Sequence, residues 1–299
     1  MKGLLLLLWS FFLLNSQLYC VAQVKLGTDS VGLSASEKSE SYGLVGMSYT
    51  NDWVYMGRKD SLQTPYLAPY FEYSHASGLF FNTSLSYLTT EGSNRFDLFA
   101  LTLGYDYSNW KLSAGAAVSG YLYDDESYNV QSAMTLYSSA YFRYDFYFME
   151  AQVSAGIGLS DGADGFASAH LLRSFYPFVG LEIRPSSTMR WGTQRYYNEY
   201  YQNSSSSHGA VRGKGKMGSG GNGQTTTFAV EEVSKFRLLD YEFSLLIAQK
   251  IGRFRLFVDG TYAAPLNPAQ VTIDELVFEE DLGNTLFWST GISYILFGN

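Results

Sequence analysis

The sequence predicts an all-β fold, a transmembrane, antiparallel, up-and-down β-barrel of about twelve strands. Three observations carry that expectation. Apolar and polar residues alternate with a period of two from residue 41 onward. The connections between these runs alternate between short and long. The composition is that of an exported chain, rich in Tyr (25), Phe (21) and Gly (29) and low in charge at 16%.

The chain opens "MKGLLLLLWSFFLLNSQLYCVAQ". Lys2 supplies a charged start, Leu4 to Leu14 an apolar run, and Cys20-Val21-Ala22 a small-residue end, so residues 1–22 are expected to be a cleaved signal peptide. Leu18-Tyr19 before Cys20 lacks the small residues of a lipidation site. Cys20 is the only cysteine, so cleavage leaves no disulfide and no cysteine-ligated metal. Residues 23–40 are polar and patternless and read as a periplasmic lead-in to a barrel over 41–299. Removing Lys2 from the 20 basic residues leaves 19 against 28 acidic ones, a balance of −9. That charge argues against nucleic acid as a partner, which needs a basic footprint. No later stretch is apolar for long enough to cross a membrane as a helix.

The alternation is sustained. In "LFFNTSLSYL", Leu79, Phe81, Thr83, Leu85 and Tyr87 take one parity, and Asn82, Ser84 and Ser86 the other. "FALTLGYDY", "EAQVSAGIGL" and "LDYEFSLLI" repeat the pattern. Twelve segments emerge, near 41–56, 66–75, 79–89, 95–107, 110–123, 129–146, 148–159, 166–175, 177–200, 226–250, 253–264 and 285–297. The closing run "LFWSTGISYILFGN" has no charge, and is expected to pair with the first strand and close the barrel. Short turns fall at "HASG", near Asn109, at Phe146-Tyr147, at Pro177 and at Gly252. Longer connections include "RKDSLQTP", "TTEGSN", "YDDESY" and "SDGADG". Sorting of this kind puts the long loops on the extracellular side and both termini in the periplasm of a Gram-negative cell. The ninth and tenth segments exceed a membrane strand, so a projecting extracellular hairpin is expected over 185–235. Its Ser/Gly-rich tip spans 203–224.

Motifs with chemical meaning are few. "GKGKMG" fits a dinucleotide fingerprint in letters only, because no strand and helix flank it. Arg212, Lys214 and Lys216 in that tract form a basic cluster suited to lipopolysaccharide or to solvent. Ser168 and His170 share a strand face, as a nucleophile and base would, but without a third orienting group. The acids of "YDDESY" and "SDGADG" suit solvent better than Ca²⁺. No catalytic residue, metal site or cofactor is expected, and the chain does not read as an enzyme.

With the apolar parity facing lipid, the other parity lines the lumen. It contains Glu72, Asp106, Arg143, Asp145, Glu150, Gln152, Glu182, Arg184, Asp240, Glu242, Arg255 and Asp259, with Lys111 and Lys250. Acids exceed bases there, which would favour cations in an open lumen. A side-chain-filled plug is the other outcome, since twelve strands lie between the filled and the open barrels. The expected function is a porin-like channel or transporter for small polar solutes. The alternatives are a closed structural or adhesion barrel and, further off, a lipid hydrolase.

Residues Gly57-Arg58-Lys59-Asp60-Ser61, Thr64-Pro65-Tyr66, Ser77-Gly78, Leu239-Asp240-Tyr241-Glu242, Gly252 and Pro265-Leu266-Asn267-Pro268 resemble a group of uncharacterised outer-membrane barrels of the Bacteroidota. The resemblance implies location and fold and adds no ligand or catalytic residue. It departs at the end, where Tyr294-Ile295-Leu296 takes the family's Tyr-x-Phe register and Phe297 comes one step later. By similarity to other outer-membrane proteins, that aromatic end implies barrel-assembly machinery as a partner in biogenesis, besides the outer-membrane lipid itself.

Overall fold

The computed structural model describes residues 40–59, 63–90, 92–125, 127–129, 131–196, 228–230, 234–268, 270–273, 276–279 and 282–298. The signal and most of the lead-in, the tip 203–224 with its basic cluster, and "GKGKMG" lie outside the described residues. The strands are β1 (Tyr42–Thr50), β2 (Tyr66–Ser74), β3 (Leu79–Leu88), β4 (Arg95–Ser108), β5 (Leu112–Tyr123), β6 (Leu136–Asp145), β7 (Glu150–Leu159) and β8 (Ala163–Leu172). They continue with β9 (Phe175–Phe178), β10 (Leu181–Gly192), β11 (Phe228–Val230), β12 (Arg237–Ile251), β13 (Phe254–Pro265), β14 (Gln270–Ile273), β15 (Leu276–Glu279) and β16 (Thr285–Phe297).

Twelve of these close a ring in the order β1-β2-β3-β4-β5-β6-β7-β8-β10-β12-β13-β16, and every neighbouring pair is antiparallel. Closure leaves no open edge among these strands, which is how a sheet can present an apolar outside. On the outer face, Val45, Leu101, Leu103, Val118, Phe142, Val153, Ile157, Phe243, Ile247, Leu256, Val258 and Ile292 are exposed. β11, β14 and β15 form a separate three-stranded sheet from the loops after β10 and β13.

The seam explains the displaced Phe297. Gly43 pairs with Phe297 but Leu44 pairs with Ile295, so Leu296 is the extra residue of a bulge. The bulge leaves both Leu296 and Phe297 exposed on the outside. The bare Cα of Gly43 makes room for the Phe297 ring, whose Cζ would lie 2.5 Å from a Cβ added there.

Four expectations need correction. The first strand stops at Thr50 instead of reaching residue 56, because residues 52–58 leave the wall and are buried inside. "SDGADG" is no long loop, since only Ser160–Gly162 separate β7 from β8. Pro177 is no turn either. It lies in β9, which continues the line of β8 along β10, and the reversal comes at Val179-Gly180 with Gly180 at φ 76°. The projecting hairpin does not begin at 185, because β10 runs on to Gly192 as barrel wall against β12. Pro185 is tolerated because it falls between the β8 and β9 pairings of β10, so its missing N–H breaks no ladder bond on that side.

Five inward-facing glycines sit directly opposite an aromatic residue on the next strand. The pairs are Gly46–Tyr70, Gly104–Phe80, Gly115–Tyr141, Gly192–Phe166 and Gly291–Phe257. In each, the ring lies where a Cβ would stand. A Cβ at Gly46 would come 2.3 Å from Tyr70 Cζ, and one at Gly104 would come 2.3 Å from Phe80 Cζ. The rings therefore lie against the wall, which lets a Tyr-rich barrel keep width inside. Gly104→Val is expected to force Phe80 off the wall and destabilise the barrel by about 1–3 kcal/mol, the usual cost of overpacking. The check is the temperature at which the folded gel band is lost in detergent, which should fall relative to the native chain.

Candidate functional site: the barrel lumen

The lumen has three levels, and the upper one lies at the long-loop end. There the segment Asp52 to Arg58 is buried throughout. Tyr55 and Arg58 exchange backbone hydrogen bonds of 2.7 and 2.9 Å around Met56 (φ 49°) and Gly57 (φ 76°), a two-residue hairpin turn of the I′ kind. Gly57 is needed there twice over, for its φ and because an added Cβ would lie 2.8 Å from Pro265 Cβ. Trp53, Tyr55 and Met56 join Tyr66, Leu98, Tyr121, Met134, Tyr137, Phe166, Tyr196 and Leu239 in one apolar cluster. Val54 packs on Ala263 and Phe287 of the opposite wall. Burial pushes the Tyr55 phenol well above its ordinary range, so it stays protonated.

Polar contacts pin this segment at both ends. Asp52 accepts from Lys59 Nζ at 2.7 Å and from the Thr64 backbone N–H at 3.0 Å. Arg58 donates to the carbonyls of Leu266 at 3.3 Å and Asn267 at 3.1 Å. With its amide turned oxygen-first, Gln194 accepts from Arg58 Nη2 at 2.6 Å. Asp164 fixes the neighbouring stretch by accepting from Thr193 Oγ1 at 2.5 Å and from the N–H groups of Arg195 and Tyr196 at 2.8 and 2.7 Å. Below the hairpin, Arg190 meets Asp240 at 3.3 Å and Glu242 at 2.6 Å, all three buried.

The middle level is lined by small hydroxylated side chains. Thr102 and Ser119 lie 2.8 Å apart, Ser154 and Ser168 2.6 Å, and Ser244 and Thr261 2.8 Å. Ser186, Thr188, Ser289 and Asp259 face inward here and are half-buried. Met56, Tyr137, Ser154, Phe166, Ser168 and Arg190 line one small cavity, so the hairpin tip reaches down to the hydroxyl level. Ser168 thus shares a hydrogen bond with Ser154 in place of the nucleophile–base pairing considered with His170.

The lower level, at the short-turn end, is ionic. Glu182 accepts from Arg184 Nη2 at 2.5 Å and from Arg255 Nη2 at 3.0 Å. Arg143 donates to Gln152 Oε1 at 2.9 Å and lies 3.7 Å from Glu150. Tyr42 donates to Glu72 at 2.5 Å, and Tyr141 donates to Asp106 at 2.9 Å. Asp145 stands at the rim, where its Oδ1 accepts from the Tyr147 N–H at 2.6 Å. Lys111 is not in the lumen. It lies in the β4–β5 turn, with its Nζ 4.6 Å from the Trp110 ring centre and 3.9 Å from that of Tyr147.

Sequence reasoning missed Arg190, assigned to the projecting hairpin, and Arg58, assigned to a loop. It also missed the buried acids Asp52, Asp97 and Asp164, so the interior stays acid-leaning. The signal for the inserted segment was available: "DWVYMGR" is too apolar for a solvated loop.

No family model matches the chain, and no curated protein matches it. Among solved structures, the KdgM porin aligns over 84% of this chain and 98% of its own, at 8% identity and TM-score 0.47. The NanC porin covers 85% and 98% at 7% identity and TM-score 0.46. The COG4313 outer membrane channel from Pseudomonas putida F1 covers 88% and 97% at 10% identity and TM-score 0.45.

Arg190 holds two buried carboxylates. Arg190→Ala is expected to cost about 3–5 kcal/mol, because both acids are left buried without their cation. Replacing all three by Met, Asn and Gln should cost far less. Urea unfolding of the two variants, followed by tryptophan fluorescence, measures the difference.

Proposed function

We propose that this chain is an integral outer-membrane barrel of the porin-like kind. In this reading it is a channel for small polar solutes, held shut in this conformation by residues 52–58. The observation that carries the reading is the hydroxyl-lined middle level. A barrel meant only to be rigid would fill its centre with large apolar side chains, as small barrels do. Here Ser and Thr line most of that level, with Leu246 and Ala248 beside them and aromatic rings laid back over glycines. The exposed apolar belt suits hydrocarbon, because charge on that face costs about 2–4 kcal/mol at mid-bilayer. A bacterial outer membrane, with both termini periplasmic, lipopolysaccharide around the loops and assembly machinery reading the last strand, completes the reading. The Bacteroidota resemblance accords with it.

The closure depends on a few groups, so it is separable from the barrel. Arg58→Ala removes the bonds to Leu266, Asn267 and Gln194 and is expected to raise the open probability in planar-bilayer recording. The cysteine-free mature chain allows a Val54→Cys/Ala263→Cys pair, whose oxidation should silence the channel and whose reduction should restore it. A folded Arg58→Ala protein that stays silent would sink the channel reading. A steadily conducting native protein, indifferent to the cross-link, would leave a channel without this plug.

A further inference from the structure

The segment 52–58 is satisfied at its ends and unsatisfied at its tip. Asp52 and Arg58 have the polar partners described above, whereas the polar atoms of its two buried rings, Trp53 Nε1 and the Tyr55 hydroxyl, meet none. Both residues are 3% exposed. The Tyr55 ring nevertheless fits its surroundings. Tyr196 meets it at 5.3 Å between ring centres and 82° between planes, and Phe166 at 6.5 Å and 77°. This is the edge-to-face arrangement that aromatic rings favour. The phenols of Tyr121, Tyr123, Tyr137 and Tyr196 lie within electrostatic reach of the Tyr55 hydroxyl, which hydrogen-bonds to none of them. The tether gives the reason. Tyr55 exchanges backbone hydrogen bonds with Arg58 across a tight turn, so the depth of its ring is set by the main chain. A buried hydroxyl without a partner carries a cost that a phenylalanine there would not.

Resting on the channel reading, in which residues 52–58 shut the lumen, we propose that the seat of Tyr55 is a binding site for small neutral phenols and that Tyr55 is its tethered occupant. A free phenol takes the same edge-to-face contacts. Being untethered, it shifts until its hydroxyl meets one of the surrounding phenols. It thereby gains a hydrogen bond that Tyr55 lacks, competes with the hairpin and favours the withdrawn state. The geometry selects a flat ring over a saccharide, whose puckered ring has no π edge to set at right angles to Tyr196 and Phe166.

The test uses the full mature protein carrying Trp110→Phe, Trp191→Phe and Trp288→Phe, which leaves Trp53 as its one tryptophan. In detergent, 4-methylphenol is expected to move Trp53 emission to longer wavelength along a saturating curve, as the hairpin leaves its seat. Toluene, of similar size but without the hydroxyl, should need a severalfold higher concentration, and glucose should have no effect. Tyr55→Phe removes the unpaired hydroxyl and tightens the closure, so it should raise the midpoint for 4-methylphenol severalfold. Replacing Tyr121, Tyr123, Tyr137 and Tyr196 together by Phe keeps the rings and should make the two solutes equivalent. Tyr55→Phe keeps the proposal testable if that variant does not fold. In planar bilayers, 4-methylphenol should raise the open probability of the native protein over the same concentrations. No shift with 4-methylphenol, equal responses to it and toluene in the native seat, a response to glucose, or a lower midpoint in Tyr55→Phe each overturns the site. A saturating Trp53 response without conductance at any concentration overturns the channel reading and leaves the site standing.

Discussion

Rings laid over glycines are what allow this barrel an interior at all. Twelve strands enclose a narrow space, and inward Tyr and Phe at ordinary cross-strand positions would fill it. Opposite Gly46, Gly104, Gly115, Gly192 and Gly291 the rings instead occupy the room of the missing Cβ atoms and lie along the wall. The apolar contact is kept, the strand registers are pinned and the centre is left to short side chains. The same arrangement gives five glycines and five rings of an aromatic-rich, glycine-rich sequence a shared purpose. One of these phenols is also a donor: Tyr141, which covers Gly115, holds Asp106.

Charge inside such a wall has to be matched, and the chain does so in two ways. At the upper and lower levels arginines meet acids directly, as in Arg190 with Asp240 and Glu242 and in Arg184 and Arg255 with Glu182. Glu72 and Asp106 accept from the phenols of Tyr42 and Tyr141, and Arg255 and Arg143 lie within electrostatic reach of them. The inward parity is thus organised around the circumference as well as along the strands, and a one-dimensional reading of parity sees only the second.

That limit describes what was legible in the sequence. The strand number, the antiparallel ring and the seam follow from a period of two, which is local. What failed depended on where the chain goes after a strand. Asn51 ends the first strand because the next residues are needed inside, and "DWVYMGR" continued the alternation well enough to look like more wall. Pro185 looked like the end of a strand because its tolerance depends on a gap between β8 and β9 that only the fold creates. Arg58 and Arg190 find their partners 208 and 50 residues away, and no spacing rule reaches that far.

The upper and lower levels of the lumen differ in kind. The lower one is built from side chains on the strands themselves, which a ring with no free edge holds in place. The upper one is a single hairpin tip, neutral apart from Arg58 and the Asp52–Lys59 pair, held by van der Waals packing and a few hydrogen bonds to loop carbonyls. Its side chains pack on the wall through Trp53, Tyr55 and Met56 on one side and Val54 on β13 and β16 on the other. The loop supplies the upper level and the wall itself supplies the lower, where Glu182, Arg184 and Arg255 are held together by ion pairs.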